Sequence, residues 1–259
     1  MTYKLTLEYD GSKFSGWQTQ VNARTVQGEL QRAADELFGV ETDLQGAGRT
    51  DAGVHALGQV AHLKVRSPRR KFTPAQVLSE LNDRLPSSIA VVDLAEAAPR
   101  FHARHDAVAR AYFYQIATRK TALSKRYVWW IKQGLDLEKM QQAARAIVGR
   151  YDFTAFRAAD PSRPGESTIV VVDAAEVIRD EHLIVFRIEA SHFLWKMIRR
   201  LTGALVKIGL GEVSLEQFAP LLEGRKNPRL DIAAWAAPAA GLFLEAVRYE
   251  SFSGLRRRA

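Results

Sequence analysis

The 259-residue chain is 47% hydrophobic, 25% charged and 9% aromatic, which excludes a disordered, fibrous or low-complexity protein. Lysine and arginine outnumber aspartate and glutamate 37 to 29, a net charge of +8 that favours an anionic partner. With no cysteine, a disulfide framework, a zinc ribbon and a cysteine nucleophile are excluded, and the cytoplasm is the simplest compartment.

The N-terminal stretch predicts a strand rather than a signal peptide, because Tyr3, Leu5, Leu7 and Tyr9 alternate with Lys4, Thr6 and Glu8 before Asp10 and Gly11. No apolar run approaches the roughly 18 residues of a membrane span, so no membrane association is expected. Val26, Leu30, Ala33, Ala34, Leu37 and Phe38 recur at helical spacing, with Gly39 placed as a left-handed cap. Ala61, Leu63 and Val65 suggest a strand. Thr73, Pro74 and Gln76 open a helix with a capping box, and Ile89 to Ala95 reads as another strand.

The second half repeats this grammar. Arg110, Tyr112, Tyr114 and Ile116 share a strand face; Met140, Ala143, Ala144, Ile147 and Val148 line a helix with Gly149 as its cap. Strand-like runs follow at Thr168 to Val177 and Leu183 to Glu189, joined by a turn at Arg179, Asp180 and Glu181. A long amphipathic helix carries Leu194, Met197, Ile198, Leu201, Leu205 and Ile208, a shorter one runs from Ser214 to Glu223, and Leu242 to Tyr249 is the last strand. The pattern predicts an α+β chain of two β-α-β-β-α-β halves, residues 1–103 and 104–250, joined near 97–107 and followed by a basic tail at 251–259.

The segment GAGRTDAGVHA, Gly46 to Ala56, concentrates glycine around one arginine and one aspartate. Its glycines permit positive φ and close approach of a ligand, as in a phosphate cradle, but Asp51 stands where a dinucleotide fingerprint needs glycine and no GK[ST] follows. Two readings of Asp51 remain: a nucleophile, base or metal ligand, or a side chain that only bonds the turn backbone. His102 and His105 form HxxH without the glutamate of a zincin site. Lys196, Arg199 and Arg200 lie at i, i+3 and i+4, on a helix face opposite the apolar stripe, and suit a phosphate or carboxylate partner.

These residues carry a resemblance. GAGRTDAGVHA, EYDGSKFSGWQTQ from Glu8, RFHARHDAVARAYFY from Arg100, FLWKMIRRLTG from Phe193 and PAAGLFLEAVRY from Pro238 occur in the order found in bacterial tRNA pseudouridine synthases of the A family, which the chain resembles over nearly its whole length. The resemblance implies two ferredoxin-like (RRM-like) halves forming a mixed, mainly antiparallel sheet with a central active-site cleft. It implies a cofactor-free, metal-free homodimer that isomerises uridines 38, 39 and 40 of the tRNA anticodon stem-loop to pseudouridine. It also implies roles: Asp51 as catalytic nucleophile, Arg199 as its basic partner, Tyr112 against the flipped-out base, and Arg49 and His55 beside the RNA, with Lys196 and Arg200 as further RNA contacts. The chain departs from the family at Glu166, Ser167, Thr168, Ile169 and Val170, where a basic residue, a serine or threonine and an arginine commonly precede a strand.

The residue types suit that chemistry. Moving uracil from an N1 to a C5 link with C1′ changes neither redox state nor mass, and a carboxylate held ionised by an arginine can act at C6 of the base or at C1′. A noncatalytic RNA-binding protein and a metal-dependent nuclease are the competing readings. Charge is divided between the halves: 13 cations face 13 anions up to Asp106, and 24 face 16 from Ala107 onward, so the whole excess lies in the second half.

Overall fold

The computed structural model describes residues 1–159, 165–225 and 227–250; the basic tail predicted at 251–259 lies outside them. The strands and α-helices are, in chain order, β1 (Thr2–Tyr9), α1 (Val26–Phe38), β2 (Thr42–Gly46), β3 (His55–Val65), α2 (Pro74–Arg84), β4 (Ile89–Glu96), β5 (Ala107–Ala117), β6 (Trp129–Trp130), α3 (Leu137–Ile147), β7 (Gly149–Asp152), β8 (Ile169–Asp180), β9 (Leu183–Ala190), α4 (Met197–Gly209), α5 (Leu215–Leu222) and β10 (Leu242–Tyr249). This is an α+β chain built on one large, mostly antiparallel sheet.

Period-two patterning sets the strands. Tyr3, Leu5 and Leu7 of β1 are fully buried while Lys4, Thr6 and Glu8 face outward, and burying each such side chain contributes about 1.5–3 kcal/mol. Helix ends follow their caps. Thr25 accepts from the Gly28 N–H to start α1, and Gly39, at φ +66°, stops it. Capping boxes at Thr73 and Ser214 start α2 and α5.

The strands run in the order β4-β1-β3-β10-β5-β9-β8-β7, with β2 beside β3 and β6 beside β5. Before residue 97 the order is thus β4-β1-β3-β2, and after residue 106 it is β10-β5-β9-β8, flanked by β6 and β7. The seam is β3. One edge pairs with β1 along most of its length; the other pairs with β2 at 61–65 and with β10, in parallel, only at His55 and Ala56. Where β2 and β10 diverge, the chain from Gly46 to Val54 leaves the sheet as a loop. One continuous core runs beneath both halves. A second, small cluster of Ala47, Val60 and Ala103 is closed by Phe101, Val247 and Tyr249, whose hydroxyl donates to the Ala103 carbonyl at 2.7 Å.

The structure departs from the sequence pattern at three points. The sequence pattern does not reveal β2, because only Thr42 and Leu44 of its five residues are buried, too short an alternation to register. Gly149 does not cap α3: the helix ends at Ile147, Val148 is the extended cap residue, and Gly149, at φ +130°, opens β7. Leu194 lies before α4, which starts at Met197; Lys196, at φ +60°, occupies the position before the first turn. Lys196, Arg199 and Arg200 therefore do not share a single helix face.

Candidate active site

The glycine-rich loop is a braced structure rather than an open cradle. Thr50 is buried, with its hydroxyl 2.8 Å from that of Tyr9, and its carbonyl accepts from the Trp17 N–H at 3.0 Å. Gln59 donates to the Gly48 carbonyl at 2.9 Å, and the Val54 N–H closes a turn onto the Asp51 carbonyl. Gly16, at φ +97°, lets the 16–17 backbone approach this loop: a Cβ there would lie 2.7 Å from the Thr50 oxygen. These contacts fix the backbone on both sides of Asp51.

Arg199 reaches Asp51 from the other half. It lies in the first turn of α4; its Nε donates to the Ala237 carbonyl at 2.7 Å and Nη1 donates to Asp51 Oδ2 at 3.2 Å. The Ala237 N–H in turn donates to the Arg199 carbonyl at 3.0 Å. Trp195, whose sequence position carries no signal of a site role, donates its indole N–H to Asp51 Oδ1 at 3.1 Å. Both carboxylate oxygens thus accept from the second half, although loop and helix are about 150 residues apart in sequence.

Asp51 and Arg199 border a cavity of about 580 Å³ between the loop, β5 and the turn before α4. Tyr112 forms part of its wall, only 8% exposed and edge-on to Phe193 with ring centroids 5.2 Å apart. Burial pushes the Tyr112 hydroxyl far above the ordinary phenol range. Tyr114, two residues on along the same strand, is fully buried and donates to the Pro238 carbonyl at 2.7 Å, a purely structural placement.

Charge around the cavity is one-sided. Arg49, Arg104, Arg110, Lys196 and Arg199 line it, and among the described residues Asp51 is its one carboxylate. Arg110 is anchored by four carbonyls: Nη1 donates to Ala107 and Ser191, and Nη2 to Ala47 and Arg104. Its signal was present in the sequence, since a cation shares the face of Tyr112, Tyr114 and Ile116. Arg49 is exposed at the cavity mouth.

His55 and Arg200 do not border this cavity. His55 is 1% exposed; its Nδ1 accepts from the Gly11 N–H at 3.1 Å and its Nε2 donates to the Arg126 carbonyl at 3.0 Å. Desolvation lowers its pKa, consistent with a neutral ring, so His55 supports the start of β3 from beneath the loop. Arg200 does not border the cavity: its Nη1 donates to the Arg157 carbonyl at 2.5 Å. Among the described residues, no three His, Asp or Glu side chains converge in a way that would hold a metal ion.

Comparison with known proteins identifies the family. The family model described as tRNA pseudouridine synthase matches residues 6–106 and 143–250, which include Asp51 and Arg199. The chain belongs to the tRNA pseudouridine synthase family. A protein named tRNA pseudouridine synthase A from Maricaulis maris is 40% identical, covering 95% of this chain and 97% of its own length. One of the same name from Paramagnetospirillum magneticum is 39% identical over 97% and 96%, and one from Sinorhizobium fredii is 38% identical over 95% and 99%. Among solved structures, a chain from "Crystal Structure of a Cbf5-Nop10-Gar1 Complex" overlaps 78% of this chain and 54% of its own length at 12% identity, with a TM-score of 0.31, too slight a likeness to bear on the fold. The protein is an isomerase that forms pseudouridine in tRNA.

Proposed function

We propose that the chain isomerises uridines 38, 39 and 40 in the anticodon stem-loop of tRNAs, with Asp51 as the nucleophile. The observation that carries this reading is the Asp51 carboxylate, held at 3.2 Å by Arg199 at the edge of a cation-lined cavity. A uridine must leave its stack to reach such a site, at a cost of a few kcal/mol. Tyr112 offers an aromatic contact to the extruded base, and stacking of that kind contributes about 1–3 kcal/mol. Contacts to RNA phosphates from Arg49 and Lys196 offset the remainder.

Asp51 adds to C6 of the base or attacks C1′ of the ribose. In both routes the N1–C1′ bond breaks, uracil turns, a C5–C1′ bond forms, the C5 proton leaves and N1 gains one. Atoms and electrons balance without an outside reagent, and the carboxylate is released unchanged.

In this reading residues 1–103 and 104–250 are two ferredoxin-like halves, which the matching strand orders support. The first supplies Asp51 and the second supplies Arg199 and Tyr112. The protein acts in the cytoplasm as a homodimer, with tRNA as its partner. No helix among the described residues is long and apolar enough to cross a membrane.

Asp51→Asn is expected to abolish pseudouridine formation on unmodified tRNA, mapped by position, while tRNA binding and the fold persist. Turnover by that variant, or modification confined to other positions, would contradict the reading.

A further inference from the structure

The turn that carries Trp195 is strained and heavily braced. Lys196 adopts the left-handed region at φ +60° and ψ 7°, which a non-glycine residue holds only where its surroundings over-determine it. Here the Trp195 carbonyl accepts from the Ala158 N–H at 2.9 Å, the Met197 N–H donates to the Leu194 carbonyl and the Arg200 N–H to the Lys196 carbonyl. Arg200 secures the same segment from its far side through the Arg157 carbonyl. The result is an indole that stays 43% exposed beside the cavity yet points its N–H at Asp51, with the Lys196 ammonium 5.1 Å from its ring.

An aspartate bound through one oxygen is free to turn about its terminal torsion, which is broad and roughly two-fold. Arg199 engages Oδ2 alone. A second donor on Oδ1 removes that freedom and sets the carboxylate plane.

We propose that Trp195 is a positioning residue for the isomerisation, its indole N–H fixing the orientation of the Asp51 carboxylate against Arg199. The proposal rests on the reading of Asp51 as nucleophile. It assigns to Trp195 an effect on the chemical step and not on tRNA capture.

Steady-state kinetics on unmodified tRNA test it with the full chain and three variants. Trp195→Phe keeps a ring but loses the N–H, and kcat is expected to fall roughly tenfold, the equivalent of one hydrogen bond to a charged group, with KM within about twofold. Trp195→His restores an N–H and is expected to recover most of that loss. Unchanged kcat in Trp195→Phe, a change in KM alone, or no recovery in Trp195→His overturns the proposal; the second result would mark the ring as an RNA-stacking surface. Asp51→Asn in the same series separates the two levels: if it is inactive and Trp195→Phe is normal, only the role of Trp195 fails, whereas an active Asp51→Asn removes the nucleophile reading itself.

Discussion

The loop that presents Asp51 and the turn and helix that present Arg199 reach the same cavity by different means. The loop is held largely by uncharged bonds from the first half of the chain, such as Tyr9 to Thr50 and Gln59 to Gly48, with Arg110 of the second half on the Ala47 carbonyl. The Arg199 side is held by guanidinium groups on backbone carbonyls of distant segments: Arg199 on Ala237, Arg200 on Arg157, and Arg110 on Ser191 and Ala47. Carbonyls cannot neutralise a cation, so Arg110 braces the structure and still brings positive charge to the cavity wall. In the proposed function the neutral half aims the nucleophile, and the cationic half both builds the wall and attracts a polyanion.

Arg199 is where that difference is sharpest, because one side chain holds the Ala237 carbonyl through Nε and the Asp51 carboxylate through Nη1. A lysine has a single ammonium and cannot hold both partners in this geometry. Arg199→Ala is expected to lower kcat by roughly a hundredfold, with Arg199→Lys regaining only part of the loss. If lysine restores full activity, the carbonyl clamp has no role in placing the charge. Gly203, one α4 turn beyond Arg199, gives a smaller effect by a purely steric route. A Cβ there would sit 1.7 Å from the Trp235 carbonyl oxygen, so Gly203→Ala must push away the segment that leads to Ala237. Overpacking of this kind costs about 1–3 kcal/mol, visible as a lower Tm, and kcat should fall severalfold as Arg199 loses its anchor. A lower Tm with unaltered kcat would show that the clamp tolerates displacement.

The two regions also differ in how far their sequence exposes them. The Asp51 loop is legible because its determinants are contiguous: glycines, an arginine and an aspartate within eleven residues, a spacing that also carries the family resemblance. The main strands and helices were legible for a similar reason, since burial follows period two in β1 and period 3.6 in α1. The other side of the site is built from tertiary contacts that no local pattern encodes. Trp195 interrupts the apolar series of Leu194, Met197 and Ile198, but its bond to Asp51 depends on the left-handed residue at 196. Arg200 has the helical spacing of a solvated cation and is instead turned onto Arg157. His55, inside the motif, is buried and bonded to Gly11 and Arg126, partners that no local pattern announces.

Acid provides the subtlest test of the contrast, because the arginine clamps do not titrate in the physiological range whereas the underside of the first half rests on histidine. His62 of β3 is fully buried against the segment that joins the halves; its Nδ1 accepts from the Ala103 N–H at 3.1 Å and its ring packs on His102, centroids 4.6 Å apart. Burial, with smaller contributions from His102 and Lys64 and opposed by Asp43 and Asp106, lowers its pKa to about 4. The unfolded chain therefore binds this proton first. Stability is fully present above the ordinary histidine value near pH 6.5 and is lost as pH falls toward 4, by an amount on the order of a few kcal/mol. Burial also lowers His55 and His102, which steepens the same slope. Replacing His62 with glutamine removes the titrating group, so Tm measured from pH 7 to pH 4.5 should fall less steeply than in the parent chain. Parallel curves would mean that the seam between the halves does not feel the His62 proton, and that the two sides of the site respond to acid alike.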